Sequence, residues 1–234
     1  MVAFDVHVNR IPIGGKISKL AFEEMLEMSS LGAKVMQPSA VQTAMKNNIP
    51  VHVRSTFSEK DGTKIVSEND IEDKDIVTGI TYSKKNAKVS IVGVVDKPGV
   101  AAEILGALAS KSINVDMIVQ NISQDGISAN ITFTINQKDH DLTKKVIENS
   151  KKILEYKSLL LDKNVAKISV IGMGMMSQTG VAEKMFKTLA KNAINILAIS
   201  TSEIKISVLI DEKHTNIAVK SLHEVYNLSL IHIS

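Results

Sequence analysis

The 234-residue sequence has no cysteine and no tryptophan, and only 3% of it is aromatic. Without cysteine there can be no disulfide, no thiolate metal ligand and no thiol nucleophile, so packing alone must hold the fold together. Arginine occurs only at Arg10 and Arg54, and the net charge of +3 comes from lysines dispersed among carboxylates. A nucleic-acid reader needs a clustered basic face and aromatic rings on which bases stack, and this composition supplies neither, so no nucleic-acid partner is expected. No apolar run approaches the roughly 20 residues that span a bilayer, and the N-terminus lacks a charged segment followed by an apolar one. No membrane partner is expected, and a cytoplasmic setting is. The histidines, His52, His140, His214 and His223 among them, show no metal-ligand spacing with carboxylates on one face, and no Ser/His/Asp grouping stands out. Neither catalytic residues nor a metal site are therefore expected.

What is present is a 44% hydrophobic content, enough for a core in each of two or three small domains. It is organised as an internal repeat. One copy reads Lys88-Val-Ser-Ile-Val-Gly-Val, Pro98-Gly-Val-Ala-Ala-Glu-Ile-Leu-Gly-Ala-Leu-Ala and Ser112-Ile-Asn-Val-Asp-Met-Ile-Val; the other reads Lys167-Ile-Ser-Val-Ile-Gly-Met, Thr179-Gly-Val-Ala-Glu-Lys-Met-Phe-Lys-Thr-Leu-Ala and Ala193-Ile-Asn-Ile-Leu-Ala-Ile-Ser. Each copy continues into an alternating strand, Ile131-Thr-Phe-Thr-Ile-Asn or Ile206-Ser-Val-Leu-Ile-Asp. The β-branched runs Val89 to Val95 and Ile168 to Met173 predict strands that turn near a glycine. Val100, Ile104, Leu105 and Leu108 recur at helical spacing, as do Val181, Met185, Phe186 and Leu189, so each helix has one apolar face to cover. Second helices are predicted over Asp139 to Leu154 and Thr215 to Tyr226, and a fourth strand of the first copy over Tyr156 to Leu161. The second copy ends before a fourth strand of its own, and Val77 to Tyr82 is a spare strand expected to cross over and complete it. The fold class that follows is α+β, with two tandem ferredoxin-like βαββαβ units.

Before the repeat, Ser18 to Met28 and Ala40 to Asn47 predict helices and Val51 to Phe57 a short strand. A charged stretch around Ser67-Glu-Asn-Asp-Ile-Glu-Asp-Lys-Asp reads as the linker to the repeats. The expected organisation is a first segment over 1–66, a linker over 67–76, repeat units over 77–161 and 162–227, and a tail over 228–234. That tail, Leu228-Ser-Leu-Ile-His-Ile-Ser, breaks the preceding helical pattern and looks like a translated sequencing adapter, so it is expected to be non-native.

These residues resemble the aspartate kinase family over nearly the whole chain. Phe22-Glu-Glu-Met-Leu-Glu-Met-Ser-Ser-Leu-Gly-Ala-Lys-Val-Met, Ala40-Val, Asn48-Ile-Pro-Val and Val53-Arg-Ser-Thr-Phe-Ser are similar to the closing segment of that family's α/β amino acid kinase domain. Asp96-Lys-Pro-Gly-Val-Ala-Ala, Asn114-Val-Asp-Met-Ile-Val-Gln-Asn and Ile199-Ser-Thr-Ser-Glu-Ile-Lys-Ile-Ser-Val-Leu-Ile are similar to its paired ACT domains. The resemblance implies an enzyme that phosphorylates the side-chain carboxylate of aspartate with ATP and magnesium, at the head of lysine, threonine and methionine synthesis. It implies feedback by lysine or threonine at the ACT pair and a homodimer formed through it, or alternatively a regulatory chain acting on a separate kinase subunit. The family's lysine-phenylalanine-glycine-glycine segment and its glycine-rich serine-aspartate motif have no counterpart here. Phosphoryl transfer depends on positioned cations around the transferring group, so this chain alone is expected neither to catalyse nor to hold a cofactor. Phe4-Asp-Val-His-Val-Asn-Arg stands where the family has a tyrosine-threonine-x-aspartate-proline-arginine loop, and Gln37-Pro-Ser39 also departs from its pattern. Arg10 and Lys16 are what the resemblance leaves of a nucleotide-binding remnant, and Met1 is expected to be a fragment edge.

An amino acid effector carries an ammonium and a carboxylate, so its site needs an acid and bare backbone amides. Asp96, Lys97, Pro98, Gly99, Val100 and Ala101 offer both: small residues let an anion approach a helix N-terminus with its partial positive charge, and Asp96 can accept from the ammonium. The same residues also read as a plain turn with Asp96 as helix N-cap. The resemblance implies that Gln120, Asn121 and Ser123 face the ligand and that Asn195 and Ile196 close the site from the second unit. Ser202 and Glu203, in the second hairpin, would meet the distal ammonium of a lysine-type ligand or simply form a solvated turn. Gly172-Met-Gly-Met-Met-Ser-Gln-Thr-Gly replaces the acidic loop in the second unit. It lacks a full Gly-x-Gly-x-x-Gly and a parallel βαβ setting, so no dinucleotide is expected there, and the methionines are expected to fill core or interface. It also lacks an aspartate matching Asp96, so the two units are expected to be inequivalent effector sites.

Overall fold

The computed structural model describes residues 17–31, 36–54, 57, 61–72, 75–123 and 126–228; Arg10, Lys16 and residues 229–234 lie outside the described residues. The first layer is a small sheet with two helices: β1 (Lys19–Ala21), α1 (Phe22–Ser30), α2 (Pro38–Lys46), β2 (Val51–Val53) and β3 (Thr63–Val66). β1 runs parallel to β3 and β2 antiparallel to it, giving the order β1-β3-β2. Leu20, Phe22, Met25, Val41, Ala44 and Ile65 form its core. The helix expected from Ser18 begins only at Phe22, because Lys19–Ala21 pairs with Lys64, Ile65 and Val66 and that ladder overrides local helix propensity. Pro38 starts α2 two residues earlier than expected, at a position where its missing N–H costs nothing. The expected strand Val51 to Phe57 shortens to Val53, and β3, unforeseen, occupies residues next to the charged stretch.

The repeats share one six-stranded sheet, built from β4 (Gly79–Val95), β5 (Val115–Ile122), β6 (Ser128–Asn136), β7 (Ser158–Ile171), β8 (Ala198–Ser202) and β9 (Lys205–Asp211) in the order β5-β6-β4-β7-β9-β8. β4 and β7 are long enough to serve both units. Gly79 to Ser83 of β4 pairs with Lys167 to Ile171, giving the second unit its fourth strand, as the spare-strand reading anticipated. Reciprocally, Ser158 to Leu161 of β7 pairs with Val89 to Val92 in the first unit. The expected strand Tyr156 to Leu161 is thus the first part of a longer one. β7 ends at Ile171 rather than Met173, and a 3-10 turn follows over Met173–Ser177.

Helices α3 (Val100–Ala109), α4 (His140–Asn149) and α5 (Lys151–Leu154) belong to the first unit, and α6 (Val181–Lys191) and α7 (Thr215–Val225) to the second. The apolar faces read from spacing are buried: Val100, Ile104 and Leu108 pack with Val89, Ile91, Ile131, Phe133 and Ile135. Val181, Met185 and Leu189 pack with Ala166, Ile168, Val170, Val208 and Ile210. The opposite sheet faces meet where Met117 packs with Val165 and Leu209. Leu228, the first residue of the expected tail, is buried in the second unit's core, and its N–H donates to the His223 carbonyl at 2.8 Å. An apolar side chain one turn past α7 is drawn in by burial. No helix among the described residues is long and apolar enough to cross a membrane.

Tyr226 closes α7 onto α6, its hydroxyl donating to the Val181 carbonyl at 2.7 Å. Burial pushes this phenol up to about 12. A group held above its unfolded value, near 10, contributes stability that is present below pH ~10 and lost as pH rises toward the folded value. The urea midpoint of the wild type is therefore expected to fall more steeply between pH 10 and 12 than that of Tyr226→Phe. Parallel pH profiles of the two proteins would contradict this.

Candidate functional site

The turn between β4 and α3 opens a cleft of about 420 Å³, within the size range of small-ligand pockets. Asp96, Lys97, Pro98, Gly99, Val100 and Ala101 form one wall, and Gln120, Ala129, Ile131, Val94 and Val95 the other. Gly99 is the N-cap of α3 with φ +97, a left-handed conformation that other residues adopt only under strain. A Cβ there would meet nothing within 4 Å, so the glycine serves the turn and leaves the helix tip uncovered. Glu103 is the first residue whose N–H closes onto the Gly99 carbonyl, at 2.9 Å, and the amides of Ala101 and Ala102 precede it without a side-chain cap. The alternative in which Asp96 caps α3 is thereby excluded. The Asp96 N–H donates to the Ile127 carbonyl at 2.8 Å, which fixes the loop on the β5–β6 hairpin while the carboxylate stays exposed. Acid and bare amides thus stand on one loop, an arrangement able to bind a zwitterion at both ends.

Two bulges shape the far wall. Between Ile91 and Val94 the register of β4 against β6 shifts at Gly93, whose φ is +69 and whose N–H donates to the Asn130 side-chain oxygen at 3.0 Å. Between Asp116 and Val119 the register of β5 against β6 shifts at Met117, whose φ is +48. Sequence reasoning missed Val94, Val95, Ala129 and Ile131; the alternation of β6 places Ala129 and Ile131 on the helix side, but only the bulges bring their neighbours to the cleft.

Of the residues expected from the second strand, Gln120 lines the cleft and Asn121 and Ser123 do not. Asn121 pairs with Asn130 and, being next to Gln120 in an extended strand, points to the other face. The Ser123 N–H donates to the Ser128 carbonyl at 2.7 Å, within the hairpin end. Asn195, Ile196, Ser202 and Glu203 are not among the lining residues. Ile196 packs on the second unit's core, and Ser202 and Glu203 are exposed at the β8–β9 hairpin. Within one chain the cleft is built by the first unit alone.

The start of the corresponding loop in the second unit is packed against other main chain, while Gly180, the match of Gly99, caps α6 at φ +89 with only the Glu183 carboxylate, at 4.0 Å, near an added Cβ. A Cβ on Gly172 would lie 2.2 Å from the Ile76 carbonyl oxygen, and one on Gly174 2.6 Å from that of Asp75. Gly174 N–H donates to that Asp75 carbonyl at 3.1 Å, so the loop is stitched to the segment leading into β4. Glu24 of α1, 4% exposed, accepts from the Met173 N–H at 2.9 Å, from the Thr78 hydroxyl and from the Ala21 N–H at 3.2 Å. Beside it Lys205 pairs with Glu27 at 2.9 Å. The first layer is thus anchored on the second unit at Thr78, Met173 and Lys205. Among the described residues no group of three or more His, Asp or Glu could hold a metal ion.

Comparison with known proteins agrees with this architecture. The ACT domain family matches residues 89–150 and 168–226, the two repeats. The chain is 43% identical over 219 residues to an aspartate kinase of Pseudomonas fluorescens, covering 93% of this chain and 53% of that protein. It therefore spans about half the length of the curated relatives it matches. A crystal structure of aspartokinase alpha and beta subunits is 45% identical, with a TM-score of 0.61, covering 64% of this chain and 99% of the matched one. A crystal structure of Clostridium acetobutylicum aspartate kinase superimposes with a TM-score of 0.83 at 25% identity, over 95% of this chain and 53% of that one. With two ACT units in tandem, the chain belongs to the aspartate kinase family and carries its regulatory ACT region.

Proposed function

We propose that this chain is the effector-sensing portion of an aspartate kinase, and that the cleft at the α3 tip binds an end-product amino acid, lysine or threonine. The observation that carries this reading is the coincidence, in one cleft, of the exposed Asp96 with the uncapped helix tip at Gly99 to Ala101. The ligand's carboxylate would take the helix tip, its ammonium Asp96, and Gln120 from the opposite wall would read its side chain. Phosphoryl transfer from ATP with magnesium to aspartate belongs to residues outside this chain, and effector binding would bias the kinase only by its differential affinity for two conformations. A homodimer formed through the ACT units is part of this reading, with Asn195, Ile196, Ser202 and Glu203 available to close the cleft of a neighbouring copy.

A second reading, a regulatory subunit acting on a separate kinase chain, is favoured by one observation: the matched chain from the aspartokinase alpha and beta subunits is short enough to be 99% covered by this one. Incubation with ATP, magnesium and aspartate tests the kinase-deficient part common to both readings; acyl phosphate formed by this chain alone would sink it. Calorimetric titration with L-lysine, L-threonine and L-methionine tests the sensing part. Asp96→Ala is expected to weaken whichever amino acid binds by about tenfold, the value of one hydrogen bond to a charged group. Undiminished affinity would remove Asp96 from the site.

A further inference from the structure

Gln120 reaches the cleft only because β5 is bulged. Val115 pairs with Ile135 and Asp116 with Thr134, but the next pair is Val119 with Thr132, so Met117 and Ile118 together oppose one residue of β6. Side chains alternate faces along a strand, and one extra residue exchanges the faces of everything beyond it. With the bulge, Gln120 pairs with Ile131 and shares its helix-side face, inside the cleft. Without it, Val119 would pair with Ile131, and the cleft would receive an apolar side chain in place of an amide.

The bulge has an identifiable clamp. Met117 stands at φ +48, a region that residues other than glycine, asparagine and aspartate seldom visit. Its N–H is satisfied by the Asp116 side chain, Oδ1 accepting at 2.8 Å. The other carboxylate oxygen of Asp116 pairs with Lys167 Nζ, and the Asp116 carbonyl accepts from the Thr134 hydroxyl at 3.0 Å. Lys167 belongs to β7 in the second unit and is 7% exposed, so its ammonium depends on this partner. The Met117 side chain is itself buried against Val165 and Leu209 of the second unit. Burial raises the Asp116 carboxyl, and the Lys167 bond and charge, the Met117 N–H and the more distant Lys205 together outweigh it. The group therefore sits below its ordinary range and is ionised at neutral pH.

We infer that Asp116, held by Lys167 of the second ACT unit, is a positioning residue that fixes the β5 bulge and so turns Gln120 into the effector cleft. The cleft of one unit is thereby tied to the placement of the other, through a residue that lines no part of it. This rests on the effector reading of the cleft, and the test separates the two claims. In the wild-type chain, nuclear Overhauser contacts should join the Gln120 side-chain amide to the methyl groups of Ala129 and Ile131. In Asp116→Ala and in Lys167→Met these contacts should be lost in favour of contacts from the Val119 methyls. The Met117 amide should exchange with solvent at least about tenfold faster, and calorimetric affinity for L-lysine or L-threonine should drop about tenfold. Should Asp116→Ala fail to fold, Asp116→Asn keeps an acceptor for the Met117 N–H while giving up the charge, and it should shift the same readouts in the same direction. Gln120 contacts that persist unchanged in both the Asp116 and the Lys167 variants would overturn the inference. A wild-type chain that binds neither amino acid would overturn the effector reading, and the Gln120 contacts, which need no ligand, would still decide the role of Asp116.

Discussion

Gly172→Ala is expected to destabilise the second ACT unit by about 3 kcal/mol, the upper range for overpacking a filled interior. The cause is steric and not conformational, since Gly172 has φ 175 and any residue adopts that backbone. The added methyl would stand 2.2 Å from the Ile76 carbonyl oxygen and 2.8 Å from Val77 Cα, and these are main-chain atoms that no rotamer change can move aside. Gly106→Ala makes the matched control. That glycine lies inside α3, is exposed and has nothing within 4 Å of an added Cβ, so alanine there should stabilise by about 0.5–1 kcal/mol. Urea unfolding of the two variants should shift the midpoint in opposite directions. A Gly172→Ala protein as stable as the wild type would mean that the segment entering β4 is not packed on this loop.

Glu24→Ala is expected to release the first layer from the second unit. Its carboxylate satisfies the Met173 N–H, the Thr78 hydroxyl and the Ala21 N–H in a buried setting, so truncation leaves three donors without an acceptor. At about 1 kcal/mol for each buried donor stranded, the loss comes to about 3 kcal/mol and is concentrated at the interface between the two parts. Hydrogen exchange should read it as accelerated exchange of the α1 amides while those of α6 and α7 remain protected. The nearby Glu27 carboxylate is engaged with Lys205 Nζ at 2.9 Å, so it offers no ready replacement for the lost acceptor. Protection of α1 equal to that of the wild type would show that Glu24 does not hold this contact.

The two predictions concern one feature, the way the second unit's glycine-rich loop is occupied. From sequence, that loop could be told from its acidic counterpart and set aside as a nucleotide site, because the spacing of its glycines was wrong and the strands around it were not parallel. What the glycines were for was not legible there. They admit the main chain of Asp75 and Ile76, residues about a hundred positions earlier, and no local pattern encodes that approach. The split between Gln120, in the cleft, and Asn121, outside it, was hidden in the same way. Both are polar residues at the end of one strand; alternation puts them on opposite faces, and the bulge that decides which of the two faces the cleft lies at an aspartate whose partner is in the other repeat.

The repeat, the apolar faces of α3 and α6, the spare strand before the first unit and the acidic loop at Asp96 were all written in the sequence. Periodicity and turn chemistry are local properties, and the units bury the faces that their spacing marks. The tertiary structure alone decided that the spare strand runs on without a break into the first unit's own strand as β4, that β7 likewise serves both units, that Lys19–Ala21 is strand and not helix, and that the start of the second loop is packed on Asp75 and Ile76. Each of those outcomes depends on a contact between segments far apart in the chain, where pairing and close packing overrule the preferences of any single stretch.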